Sequence, residues 1–206
     1  TTRRTKEFPL HTRSSLPASP LPRLDSRMLT NESYELLRRL ASPIVAVTSA
    51  HAGRTNGMIL DSAVRATISP EHPRLSIYVH KWHLSHDMIW ASGRFAAHLL
   101  DQDQFDVVHR LGFRSGRQVT DKLAGIPYRL GEGGVPVLER CHAAFECRVR
   151  NTMDAGPATL YLGEIVATHA GTLGMLLTAD HFRANLPEAW REEFLKNYRE
   201  AQERIR

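Results

Sequence analysis

The sequence predicts a mainly β domain with flanking helices, its antiparallel strands closed into a barrel, and a helix at the C-terminus. Three observations predict this. Short β-rich runs recur with short connections, among them Ile44-Val45-Ala46-Val47-Thr48 and Leu75-Ser76-Ile77-Tyr78-Val79. Residues 141–150 alternate apolar and polar with period two, the mark of a strand with one buried face and one wet face. Residues 187–206 carry Trp190, Phe194, Tyr198, Ala201 and Ile205 near helical spacing.

The bulk properties bound the rest. At 206 residues the chain holds one domain with a full core, plus appendages. Its hydrophobic fraction of 42% and charged fraction of 24% are those of an ordinary globular protein. The net charge of +5 comes from scattered Arg, much of it in the first 30 and last 20 residues, with no block of five like charges, which argues against nucleic acid and leaves room for a phosphate-bearing cofactor. No apolar run reaches the ~18–20 residues of a membrane helix, and no signal-peptide core is read at the N-terminus. Cys141 and Cys147 are expected on one strand, too far apart to bridge, as reduced thiols in a cytoplasmic protein.

Taken in order, residues 1–28 are rich in Pro and Arg and read as a flexible arm. Asn31 is expected to cap a helix with Tyr34, Leu37 and Leu40 on its apolar stripe, stopped at Ser42-Pro43. The main domain spans 29–180, and 181–206 forms a helical extension. Asn56-Gly57 is suited to a tight turn. Residues 58–68 then form one or two strands, interrupted by the small polar step Asp61-Ser62-Ala63, where a bulge would expose backbone amides. Lys81-Trp82-His83-Leu84-Ser85-His86 reads as a strand end passing into a helix N-terminus capped by Ser85, a place for a phosphate. Residues 94–100 form a strand, and Asp101 is expected to cap a helix from Gln102 to Leu111. Residues 113–122 read as a loop, and 159–168 as the strand partner of 141–150. Pro187 opens the last helix, with Glu192 and Lys196 as a supporting pair.

His80, His83 and His86 invite a metal reading. Zinc sites draw further ligands from a second element, and nothing nearby in sequence supplies them; the run also straddles a strand-to-helix junction, so the rings should diverge. No metal is assigned.

Several motifs together carry a resemblance over residues 36–171. They are Gly57-Met58 ahead of Ser62, Ser92-Gly93-Arg94-Phe95, Asp121-Lys122-Leu123-Ala124-Gly125, Phe145-Glu146-Cys147, and 160–166 with Gly163-Glu164. In this order the chain resembles the flavin reductase-like family of FMN-binding split β-barrels. The resemblance implies FMN as cofactor, with FAD as the other choice. It places Ile59, Leu60, Asp61, Ser62 and Ala63 along the ring and ribityl chain. It gives the phosphate to Lys81, Ser85 and His86, with Lys122 as a second positive contact. It also implies NADH or NADPH as a transient co-substrate, a homodimer, and a flavin-dependent monooxygenase as partner. No side chain is assigned a catalytic acid or base role, because the cofactor carries the chemistry.

Two departures bear on function. Many family members carry Gly-Asp-His before the strand ending in Gly-Glu, and that His lines the nicotinamide site. Here Ala158 stands in its place, after Pro157. Asp61 puts a carboxylate where a neutral polar residue is expected, and negative charge there would disfavour an anionic reduced flavin. Three readings follow: an NAD(P)H-dependent flavin reductase, an FMN-binding electron carrier that does not use nicotinamide, and a split barrel with an empty pocket.

Overall fold

β1 (Val45–His51) and β2 (Arg54–Leu60) form a hairpin whose two-residue loop is Ala52-Gly53, both at positive φ. That backbone matches the twist of the flanking strands. Asn56-Gly57, expected as a turn, instead lies inside β2. Packing holds it there: a Cβ on Gly57 would come within 2.9 Å of the Leu111 side chain, and Asn56 Nδ2 donates to Ser85 Oγ at 2.8 Å.

The computed structural model describes residues 43–171 and 174–204, with 36, 37 and 40. The expected arm over 1–28, the helix cap Asn31, Tyr34 and the tail residue Ile205 lie outside the described residues. The chain divides into two units, Thr1–Leu40 and Ala41–Arg206. In the first, Leu36 and Leu37 are helical and Leu40 N donates to Leu37 O.

In the second unit β3 (Ala63–Arg65), β4 (Arg74–His80), β5 (Arg94–Leu99), β8 (Ala143–Ala155) and β9 (Ala158–Ala170) join β1 and β2 in a seven-stranded sheet. Its order is β2-β1-β5-β8-β9-β4-β3, with every pair antiparallel. β2 and β3 are thus the two edges, yet only Asp61 and Ser62 separate them in the chain. Six flat strand spacings would set the edges about 29 Å apart. Three Cα steps reach at most about 11 Å. The sheet therefore curls into a half-barrel, split between β2 and β3.

α1 (Leu84–Ser92) follows β4 and α2 (Phe105–Gly112) follows β5. The small hairpin β6 (Tyr128–Leu130) and β7 (Pro136–Leu138) lies over β1 and β5, tied by the Thr48 hydroxyl to Pro136 O. α3 (Ala179–Ala184) and α4 (Glu188–Glu203) complete the described fold. α2 starts three residues later than expected. Gln104, not Asp101, is its N-cap residue, and Gln104 Oε1 accepts from Asp101 N, which keeps 101–104 out of the helix. In α4 the ion pair within the helix is Arg191 with Glu188.

Two cores explain the run of apolar residues in β1. Val45 and Val47 pack inside the barrel with Met58, Ile77, Phe95 and Tyr161. Ile44 and Ala46 pack on the other side with Val108, Leu111, Leu123 and Phe182. A strand buried on both faces loses its alternation. β8 departs from the expected alternation for the same reason. Ala144 and Glu146, expected wet, are buried, and a bulge shifts the register at Glu146/Cys147. The Glu146 carboxylate is satisfied by His169 Nε2 at 2.6 Å and by Glu132 N. Cys141 falls just before β8 rather than on it; both cysteines are buried free thiols, and burial raises both.

His98, on β5, is wholly buried and ties the layers together. Its Nδ1 bonds Ala46 O at 3.1 Å, and its Nε2 accepts from Leu138 N at 3.1 Å. Those partners fix the neutral Nδ1–H tautomer, and burial lowers the imidazole to about 4. The unfolded chain therefore takes this proton first as pH falls. The stability held above about pH 6.5 should be lost toward pH 4, by on the order of 3 kcal/mol. Urea unfolding across this window should show that slope, and His98→Gln should flatten it.

Candidate functional site

Arg54 and Asn56 organise the site from β2. Arg54 Nη2 donates to Gly116 O at 2.6 Å, and the Asn56 side chain lies so close to Gly116 that a Cβ there would collide with its amide. Arg117, one residue on, donates to Trp82 O at 3.1 Å and pairs with Asp87 at 2.5 Å. The segment 113–122 is thereby clamped to the end of β2 and to the β4–α1 junction.

Between them lies a cavity of ≈180 Å³. Met58 and Ile59 of β2, Trp82 and His83 of the junction, and Arg114, Ser115 and Lys122 of the clamped segment line it. α4 forms the remaining wall with Asn197, Glu200, Ala201 and Arg204, and Asn197 Nδ2 donates to Phe113 O at 2.8 Å. Among the described residues β2 pairs only with β1, so its outer edge offers backbone groups without ladder partners there.

Lys122 dominates the electrostatics. It is 5% exposed, its Nζ donates to Leu111 O at 2.6 Å, and burial lowers the amine to about 8. His83 is held to about 4, first by burial, then by His80 and by the cations Lys122, Arg204 and Arg117. An imidazole that stays neutral beside several cations marks a region of positive potential, suited to an anion.

The residues assigned by the resemblance do not all meet here. Ile59 and Lys122 face this cavity. Leu60 packs in the barrel core, Asp61 is exposed, and Ser62 Oγ donates to Tyr78 O at 3.3 Å. Ala63 lines a separate apolar recess of ≈480 Å³. Ser85 is not the helix cap: His83 holds that position without a side-chain bond, and Ser85 is buried within α1, accepting from Asn56.

Lys81 and His86 face another cavity, of ≈470 Å³, with Trp90, Asp154 and Thr159. There Lys81 pairs with Asp154 at 2.8 Å, and His86 Nε2 is 3.0 Å from Thr159 Oγ1. The His86 ring stacks on the exposed Trp90 with centroids 6.1 Å apart. Ala158 is buried on β9 opposite His80. His80 and His83 are 6.2 Å apart and tilted, while His86 turns toward Thr159. Among the described residues no group of three or more His, Cys, Asp or Glu side chains is placed to hold a metal ion.

Sequence reasoning missed Arg114, Arg204 and Asn197. Trp82 and His83 stood inside a stretch already singled out, but no local pattern links α4 to β2.

Comparison with known proteins assigns the class. The flavin reductase like domain matches residues 37–185, and the chain belongs to that family. A high molecular weight rubredoxin of Moorella thermoacetica is 30% identical over 63% of this chain and 56% of its own length. The reductase subunit HsaB of a flavin-dependent monooxygenase from Mycobacterium tuberculosis is 31% identical over 63% of this chain and 66% of its own. The chain thus spans little more than half to two thirds of these curated relatives. An FMN-binding protein from Thermus thermophilus superposes with TM-score 0.57 at 25% identity, covering 77% of this chain and 80% of that one. The family match ends before α4 begins.

The residues present fit the phosphate end of a flavin. A buried ammonium with one carbonyl partner has donors to spare, and Arg114 has no ion-pair partner among the described residues. Below about pH 8 the fold bears the cost of the Lys122 charge. Lys122→Met should therefore raise stability at pH 7 by about 1–3 kcal/mol and remove the pH dependence between about 8 and 10.5. Urea melts of both proteins over that range check this, and an unchanged or lowered stability would contradict it.

Proposed function

We propose that this chain is an FMN-binding oxidoreductase that passes a hydride from NADH or NADPH to the flavin. The observation that carries the reading is the buried Lys122 in a cation-lined cavity beside the open edge of β2. A bound flavin supplies the redox chemistry, accepting the hydride and passing electrons onward. Lys122 and Arg114 hold the phosphate, and Ile59 and the β2 edge position the adjoining part of the cofactor. Asp61 and Ser62 mark the seam along which the ring edge lies. Lys81, already paired with Asp154, is the weaker phosphate contact. Ser85 acts through Asn56, which positions β2.

A cavity of ≈180 Å³ is smaller than the ~300–1,000 Å³ of whole-ligand sites. It takes one end of the cofactor, which supports a homodimer in which a second copy covers the rest. The cavity at Lys81, with the His86–Trp90 stack, offers an aromatic surface for a co-substrate. A monooxygenase as recipient of the reduced flavin is supported by the name of the Mycobacterium tuberculosis relative. The chain is assigned to the cytoplasm, in keeping with two free buried thiols. Ala158 favours a second reading, an FMN electron carrier that does not use nicotinamide, because its methyl group offers no polar contact where the family histidine stands.

An anaerobic visible spectrum of the FMN-loaded chain, before and after NADH and then NADPH, decides between them. Loss of the flavin band on a catalytic timescale is expected. A bound flavin that neither nicotinamide bleaches would select the carrier. Lys122→Met is expected to weaken FMN by about 1.5–3 kcal/mol, more than Lys81→Ala does, as read by equilibrium dialysis. Sedimentation should give a dimer, and a monomer at micromolar concentration would remove the shared-site argument.

A further inference from the structure

The family domain accounts for three walls of the Lys122 cavity. The fourth belongs to α4, which begins after the family match ends at residue 185. α4 is anchored by aromatic packing: Trp190 stacks on His109 with centroids 4.2 Å apart, and Phe194 lies 5.9 Å from both Phe113 and Phe182. Its last turn then brings Glu200, Ala201 and Arg204 to the cavity. Arg204 has no ion-pair partner among the described residues, and neither has Arg114 across the cavity. Arg117 differs, being spent on Asp87. The cavity therefore holds Lys122, Arg114 and Arg204 against one carboxylate, Glu200.

We infer that α4 is an appended specificity wall, and that Arg204 completes with Lys122 and Arg114 a site for a terminal phosphate monoester, selecting FMN over riboflavin and over FAD. This rests on the flavin reading above. A phosphate monoester carries close to two charges near neutral pH and presents three acceptor oxygens, which suits a cavity lined by three cations. Riboflavin brings no anion. In FAD each phosphate is a diester with one charge, and an adenosine must continue beyond it. The ≈180 Å³ cavity takes one end of a flavin, and α4 forms one of its walls, which an adenosine carried beyond the phosphate would have to clear.

Equilibrium dialysis of the full chain against FMN, riboflavin and FAD tests this. The native chain should bind FMN at least about tenfold more tightly than either other flavin, the low end expected for a partly exposed charge-assisted hydrogen bond. Arg204→Ala should lose about tenfold for FMN and nothing for riboflavin, with Arg204→Lys keeping most of the affinity. Glu200→Gln should bind FMN more tightly, a gain that misfolding cannot produce. Equal loss of FMN and riboflavin in Arg204→Ala, or no loss of either, would overturn the inference. Equal binding of all three flavins by the native chain would overturn it while leaving the flavin reading intact. Failure of the native chain to bind any flavin would overturn that reading instead.

Discussion

Two residues, Asp61 and Ser62, join the opposite edges of a seven-stranded sheet, and the rest of the structure follows from that short tie. The strands cannot lie flat, so they curl, and curling gives β1 an inner and an outer core. The outer core needs helices to cover it, which α2, α3 and α4 supply. The seam left between β2 and β3 keeps the outer edge of β2 free of ladder bonds. The candidate site stands beside that edge because there the backbone is exposed without being unsupported.

Support comes from polar clamps rather than from apolar packing alone. Arg54 and Arg117 fix the segment that carries Lys122 to β2 and to the β4–α1 junction, and Asn56 ties β2 to Ser85 of α1. A lysine ammonium is costly to bury, and a loose loop would swing it into water. The clamps hold it inside. A charge kept out of solvent at the expense of stability is a common signature of a binding site, where the ligand restores what the fold gave up.

The sheet was legible in the sequence where periodicity and turn chemistry spoke locally. The β8–β9 pair, β4, β5 and α4 lie close to where their patterns put them. Asn56-Gly57 misled because it has turn chemistry but sits where Leu111 and Ser85 demand a small residue and an amide within a strand. Glu146 misled because a long-range partner, His169, satisfies it under the β6–β7 hairpin. The candidate site was legible as a set of stretches but not as one cavity. Ile59 and Lys122 reach one cavity, whereas Lys81 and His86 open on another, since neighbours along a strand end diverge to different faces. The wall made by Arg204 depends on tertiary packing some eighty residues distant from Lys122, and no sequence period records it.

His98 joins three strands of two sheets through one ring: the Ala46 carbonyl of β1, its own strand β5, and the Leu138 amide of β7. The β6–β7 hairpin reaches the barrel through such polar threads, through ion pairs of Glu132 with Arg94 and Arg148, and through a small cluster around Val135 and Val137. Acidification adds a second proton to that ring and cuts the thread at Nε2. The hairpin then loses one of its ties while the sheet keeps its ladder, so acid should loosen the cover before it opens the barrel.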